Sequence, residues 1–212
     1  MIEMIKKRVR AYRLLKVVSD ALGTLPEIQQ LRSLEDYLAP YNAESRGLGA
    51  ASSLDIGCGG QPKNPFGAKH LFGLDIREDL TKNIKYADLA TEPIPFADDS
   101  FDYITAYDLI EHVPRVIYMP TRRFPFVELM NEVWRTLKPD GVFLSHTPVF
   151  PYSPSFRDPT HVNIISHETF PMYFDNKRRW AAMYGFVGSF VVLGQGVRPP
   201  HLVSLLRKCA RI

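Results

Sequence analysis

Residues 54–76, LDIGCGGQPKNPFGAKHLFGLDI, constrain this chain more than any other stretch. Two apolar runs, each ending in an acid, flank a glycine-rich loop, the pattern of strand, loop, strand. Doubly wound folds usually place a long helix between two such strands. Here only about fourteen residues, 57–70, join them, and Pro62, Pro65 and Gly67 fall within that link. Proline removes a backbone donor and clashes with the preceding turn, so a helix there is limited to a turn or two.

The rest of the chain alternates strands with helices, the signature of a parallel sheet covered on both faces. Strands are expected at 51–56, 70–76, 84–87, 102–107 and 141–147, with a helix at 125–137 that ends in the turn signal KPDG. Residues 166–184 read as helical, and strands at 185–194 and 201–209 complete the chain. The six residues QGVRPP between those two strands are too few for a crossover, so the pair is expected to be antiparallel. Upstream, residues 1–22 read as a helix stopped by Gly23. Its basic residues are Lys6, Lys7, Arg8, Arg10, Arg13 and Lys16, and its apolar stripe is Ile2, Ile5, Val9, Tyr12 and Leu15. The basic run suits an anionic partner or a membrane surface, or simply the solvated face of a helix. A second helix is expected over PEIQQLRSLEDYL, with Pro26 near its first turn. This gives an N-terminal helical extension or lid, 1–48, and an α/β domain, 49–212, together one globular unit.

In open α/β sheets, ligands bind at the carboxyl ends of the strands, where strand order reverses. Gly57 and Gly59 let backbone approach a ligand closely. Asp75 follows Asp55 by twenty residues, at the end of the second strand, where a carboxylate can accept from both hydroxyls of a ribose. A dinucleotide would need a helix amino end for its pyrophosphate, and a third glycine where this chain has Pro62. S-adenosylmethionine has the ribose and adenine but no phosphate, so the cramped link suits it. An NAD-dependent dehydrogenase is disfavoured on the same ground.

LDIGCGG, FGLDI, YADLATEPIPFADDSFDYITAYDLIEHV and EVWRTLKPDGVFL, spread over about residues 50–150, resemble the successive motifs of class I S-adenosylmethionine-dependent methyltransferases. The likeness is to the small-molecule group called type 11. It implies a Rossmann-like, seven-stranded, mostly parallel sheet with an antiparallel last strand and helices on both faces. It also implies site roles. Asp55 would help hold the methionine ammonium, directly or through water, and Gly57, Cys58 and Gly59 would pass beneath the cofactor. Asp75 would clamp the ribose, with Ile76 packed on the adenine. Asp88 would accept from the adenine amino group, with the Leu89 N–H nearby. Tyr107 would border the methionine moiety. Asp88 also reads as a helix cap, and Cys58 as a small filler rather than a nucleophile.

On the acceptor side, HTPVFPYSPSFRDPTHVN carries four prolines and three aromatic residues, which suggests a lid or pocket wall. Asp158 and His161, three apart, make His161 a candidate general base oriented by Asp158, or else a pair that braces the loop. Asp108-Leu-Ile-Glu111-His112 is similar to a run that binds a divalent metal in some RNA-end and quinone methyltransferases, with His146 or His161 as a further ligand. No metal is assigned.

The expected function is methyl transfer to a small molecule, at oxygen, on a sugar-containing or natural-product acceptor. The alternatives are an RNA or protein methyltransferase and a non-catalytic cofactor-binding module. A net charge of +3 does not call for a nucleic-acid partner. No apolar run is long enough to span a bilayer, and the N-terminus lacks the unbroken apolar core of a signal peptide. The chain is therefore read as cytoplasmic. Cys58 and Cys209 belong to no CxxC pair, so neither a disulfide framework nor a zinc cage is indicated. Oligomeric state is left open.

Overall fold

A computed structural model describes residues 2–21 and 28–210. Its strands are β1 Gln29–Gln30, β2 Ser52–Ile56, β3 His70–Asp75, β4 Ile84–Tyr86, β5 Phe101–Tyr107, β6 Leu137–Pro148, β7 Phe190–Arg198 and β8 His201–Lys208. Its helices are α1 Ile2–Ala21, α2 Leu34–Leu38, α3 Pro125–Thr136, α4 Pro154–Arg157 and α5 Thr169–Tyr173. The strands form one sheet in the order β1-β7-β8-β6-β5-β2-β3-β4. Every pairing is parallel except those of β8 with β6 and β7, so β8 alone runs against the others. The mostly parallel sheet and the antiparallel final hairpin are as expected.

The strand count is eight rather than seven. The extra strand, β1, lies where a helix was expected over 26–38. Gln29 and Gln30 pair with Gly196 and Val197 of β7, and the Leu31 N–H donates to the Val197 carbonyl. Gly196 makes this possible, because a Cβ there would lie 2.4 Å from Leu31 Cδ2. Helix follows only after Ser33, whose hydroxyl accepts from the Asp36 N–H and caps α2. Gly23 and Pro26, expected to end one helix and start the next, lie outside the described residues.

The link from β2 to β3 contains no helix, and packing shows what replaces it. Phe66 is buried and stacks on Tyr103 of β5 at 4.4 Å. Asn64 brackets Ala68, donating to its carbonyl and accepting from its N–H. The start of the loop settles on Gly73 of β3, where a Cβ would lie 2.7 Å from both Cys58 Sγ and Pro62 Cγ. One sheet face is thus covered by Phe66, Ala68, Leu38 and Ala43 against Tyr103, Val142 and Leu144. The other is covered by α3, whose Phe126, Leu129, Met130 and Val133 pack with Ile104, Ala106 and Phe143.

Two further expectations shift. Residues 166–184 are not one helix. They form α5 and a single-turn helix at Trp180–Tyr184, separated where the Asp175 carboxylate accepts from the Lys177 and Val192 N–H groups. Satisfying backbone donors through a side chain competes with helix. The KPDG turn lies inside β6 as an excursion. Leu137 pairs with Phe101 and Val142 with Tyr103, leaving residues 138–141 looped out. In α1 the described side chains, residues 3–13, are all exposed, Ile5, Val9 and Tyr12 included. Among the described residues no helix is long and apolar enough to cross a membrane.

Candidate active site

The carboxyl ends of β2, β3 and β5 meet around the glycine loop. Asp55 is 1% exposed. One of its oxygens accepts from Thr105 Oγ1 at 2.6 Å and the other from the Lys63 N–H at 2.8 Å. Burial pushes this carboxyl's pKa up, and those two hydrogen bonds oppose the shift. Asp55 therefore ties the proline-rich link to β5. Beyond it, the N–H groups of Gly57 and Cys58 both donate to the Leu74 carbonyl, at 2.7 and 3.2 Å. Gly57 and Gly59 have φ of +66° and +61°, the region open to glycine at low cost.

Burial, then the neighbouring Asp55 and Asp75 charges, pushes the Cys58 thiol up to about 11. Cys58 is thus a neutral filler over Gly73, consistent with its place in the motif. Alkylation by iodoacetamide at pH 7.5 is expected to be at least tenfold slower at Cys58 than at a free cysteine, whose pKa is about 8.5. Peptide mass spectrometry over a time course reads this directly, and labelling at the free-thiol rate would contradict it.

Asp75 is largely buried, accepting from the Gly59 N–H at 2.8 Å on one oxygen. Its other oxygen accepts from Arg77 Nε at 3.0 Å and the Arg77 N–H at 3.1 Å. The Arg77 side chain is 75% exposed and lies at the solvent side of this pair. Ile76 beside it is 63% exposed, an apolar side chain left without cover. The Ala87 N–H donates to the Asp75 carbonyl, which brings Asp88 to the same edge. Asp88 does act as a cap: Oδ1 accepts from the Ala90 N–H, while its own N–H donates to Glu92. Its other oxygen bonds nothing among the described residues, and neither does the Leu89 N–H. Capping and ligand binding are compatible here.

At the end of β5, Tyr107 is half-buried, with the Lys63 ammonium 4.2 Å above its ring and His146 tilted against it at 5.1 Å. Burial pushes its phenol pKa up. The acid-x-x-Glu-His run divides here into two clusters. Asp108 turns, at φ +50°, towards His201, with Oδ1 2.9 Å from Nε2, and towards His146, 3.9 Å from Nδ1. Burial alone would raise the Asp108 pKa. The hydrogen bond from His201, with the charges of His201, His146 and Lys63, lowers it instead. Glu111 turns inward and is 2% exposed, with Oε2 accepting from Thr147 Oγ1 at 2.7 Å. Burial raises its pKa. His112 and His161 meet edge to face at 4.7 Å beside it.

Asp158 and His161 come together without a side-chain hydrogen bond, Oδ2 lying 4.0 Å from Nε2. The other Asp158 oxygen holds the N–H and hydroxyl of Thr160, whose Oγ1 lies 3.0 Å from His112 Nδ1. Thr105, Lys63, Arg77 and His201 escaped the sequence reading. Thr105 is an isolated polar residue in an apolar strand, a readable sign of inward bonding. His201 lies 93 residues after Asp108, and no local pattern links the two. An aromatic cavity of about 300 Å³ between α3 and α5 is lined by Arg115, Phe124, Tyr173 and Tyr184 among others, and by no residue of the glycine loop.

A family model described as a methyltransferase domain matches residues 54–145. No curated protein matches the chain. Among solved structures, a Galdieria sulphuraria protein provisionally described as a sarcosine dimethylglycine methyltransferase aligns with a TM-score of 0.53. That likeness is 18% identical and covers 84% of this chain and 85% of the other. An S-adenosylmethionine-dependent methyltransferase from Archaeoglobus fulgidus aligns with a TM-score of 0.51 at 16% identity, over 82% of this chain and 93% of the other. At such identities the likeness is one of fold.

Proposed function

We propose that this chain is a class I S-adenosylmethionine-dependent methyltransferase, supported by the methyltransferase-domain match and the shared fold, and that it methylates an oxygen of a small molecule, sugar-containing compounds and natural products being the favoured acceptors. One observation carries the oxygen assignment. Imidazoles and carboxylates gather in the Asp108 cluster beside Tyr107 and in the Glu111 cluster, groups able to take the proton that a hydroxyl acceptor must lose.

The cofactor fits the residues gathered at this edge of the sheet. Asp75 presents a carboxylate at the end of β3, and Arg77, the group on its outer oxygen, is free to swing into solvent. Ile76 offers an uncovered apolar surface next to it. Asp88 and Leu89 offer an acceptor and a donor at adjacent positions, which suits the edge of an adenine. Gly57, Cys58 and Gly59 bring backbone under the ligand, and Asp55 and Tyr107 border its methionine end. When bound, the cofactor supplies a methyl carbon already activated by a sulfonium charge. The protein's work is then to align the acceptor, exclude water and take up the proton. Alignment contributes up to roughly 7–11 kcal/mol in ideal cases, and a general base about 10²–10⁴-fold. His161 is the candidate base, with a buried Nδ1 that has no partner among the described residues and Asp158 within 4.0 Å. Residues 49–212 constitute the catalytic domain in this reading. Residues 1–48 are its helical extension in this reading, from which β1 joins the sheet and α2 packs Leu38 against one sheet face.

The test is incubation with isotopically labelled methyl donor and fractionated metabolite extracts. A labelled small molecule carrying its new methyl on oxygen is the expected product. Label recovered only in RNA or protein would favour a second reading, which the exposed Lys6, Lys7, Arg8, Arg10 and Arg13 of α1 support. With the acceptor in hand, His161→Ala is expected to lower turnover by about 10²–10⁴-fold, and full turnover in a folded variant would remove His161 from the mechanism.

A further inference from the structure

We propose that Asp108, His146 and His201 form a binding site for a divalent transition-metal cation on the acceptor side of the pocket. One potential ligand atom from each lies within 4.8 Å of the other two. Asp108 Oδ1 sits 2.9 Å from His201 Nε2 and 3.9 Å from His146 Nδ1. Ligand atoms around a single metal ion are separated by about 3–3.5 Å, given metal–ligand bonds of about 2.0–2.2 Å. To close on an ion, the stacked His146 and His201 rings must turn so that their in-plane nitrogens converge beside the Asp108 carboxylate.

An Asp–His ion pair accounts for two of these groups and leaves the third unexplained. His146 Nδ1 is buried and has no hydrogen-bond partner among the described residues. A buried polar atom left unpaired is destabilising, because its lost hydration is not replaced. The imidazoles of His146 and His201 lie nearly parallel with centroids 4.3 Å apart, an arrangement that brings a second nitrogen to the same carboxylate. A cation among the three would satisfy His146 Nδ1 and replace the proton shared by Asp108 and His201.

The scaffold is stiff. The three residues sit at one end of three adjacent strands, with Tyr107 opposite His146 and Pro148 opposite His201 in the ladders. The Asp108 N–H donates to the His146 carbonyl at 2.9 Å. The positive φ of Asp108 turns its carboxylate out of the β5 register, and aspartate is among the few residues that adopt this region readily. Two imidazoles and one carboxylate suit zinc, manganese, iron or cobalt better than magnesium or calcium, which prefer oxygen. Three protein ligands leave a coordination position open. Asp108 is half exposed, so that position can be reached from solvent. Its use, binding an acceptor that bears a hydroxyl beside Tyr107, rests on the methyltransferase reading; cation binding itself does not.

The competing location is Glu111, His112 and His161, a second group of the same composition. There Glu111 Oε1 and His161 Nδ1 are also buried without a partner among the described residues, but His112 Nδ1 already meets Thr160 and Glu111 is sealed from solvent, so the variants below decide between the two groups. The experiment uses tag-free full-length protein, stripped with chelator, and calorimetry with zinc and manganese chlorides. Cobalt(II) absorption reports the ligand field. One cation per chain is expected, with affinity lowered at least tenfold in Asp108→Asn and in His201→Asn, and unchanged in His161→Asn. The visible cobalt bands should change in His146→Asn. Binding weaker than millimolar in the parent, or binding lost in His161→Asn and kept in His201→Asn, would overturn the proposal. Calorimetry with S-adenosylmethionine on the same samples reports folding of each variant. It also separates the two ideas, because a protein that binds the cofactor and no cation refutes only the metal site.

Discussion

Replacing Asp75 with alanine is expected to weaken S-adenosylmethionine binding by about 100-fold or more while leaving the protein folded. A carboxylate that accepts from two ribose hydroxyls makes two charge-assisted hydrogen bonds, each about 1.5–3 kcal/mol. Their joint loss, about 3 kcal/mol or more, corresponds to more than two decades of affinity. The fold itself depends on Asp75 less. Its present partners are the Gly59 and Arg77 N–H groups and an exposed guanidinium, all near enough to solvent for water to replace the carboxylate. Two companions sharpen the measurement. Asp75→Asn keeps the shape and loses the charge, so it should fall between parent and alanine. Arg77→Ala removes a competitor from the carboxylate, and since an exposed ion pair is worth about 0–1 kcal/mol, affinity should hold or rise by a few-fold. Calorimetry finding Asp75→Ala within threefold of the parent would place the ribose elsewhere.

Legibility from sequence followed the range of the interactions. The glycine loop, both flanking strands and the prolines between them are neighbours in the chain, and local chemistry announces them. Pro62 and Pro65 signal that no long helix follows β2, and the structure adds what fills the gap, Phe66 on Tyr103. The antiparallel pair β7–β8 was readable because six residues cannot make a crossover. Where a distant partner decides, local pattern misleads. QQLRSLEDYL has helical periodicity, yet Gln29 and Gln30 become a strand because Gly196, some 166 positions later, leaves room for Leu31. Residues 166–184 look helical until Asp175 takes the N–H of Val192 in β7. The same rule governs the site. Asp158 and His161 stand out by proximity in sequence, but the Asp–His pair within hydrogen-bonding distance is Asp108 with His201. Only the fold of the last strand against β6 creates it.

Gly57→Ala is expected to cost about 2–5 kcal/mol of stability and at least tenfold in cofactor affinity, two consequences of a single added carbon. The first part of the cost is conformational. Gly57 holds φ at +66°, where a side chain costs about 1–2 kcal/mol. The second part is steric. The new Cβ would lie 2.7 Å from Leu109 Cδ1 and 3.0 Å from Leu109 Cβ. The Cδ1 atom could rotate away, but the Cβ is fixed to the backbone, so loop or strand end must move at about 1–3 kcal/mol. A chain of this size loses about 2–4 °C in Tm per kcal/mol, so a fall of about 4–20 °C should be seen. Affinity falls because displacement of Gly57 carries Cys58 and Gly59 with it. Cys58 is seated on Gly73, and the Gly59 N–H holds one oxygen of the Asp75 carboxylate. Gly60→Ala supplies the control, having nothing within 4 Å of its would-be Cβ and no left-handed φ. If Gly57→Ala and Gly60→Ala melt together and bind S-adenosylmethionine alike, the tight turn over Leu109 is not what shapes the pocket. Leu109→Gly in the Gly57→Ala background separates the two contributions. It relieves the overlap and leaves the dihedral cost, so it should return part of the affinity even though it removes packing of its own.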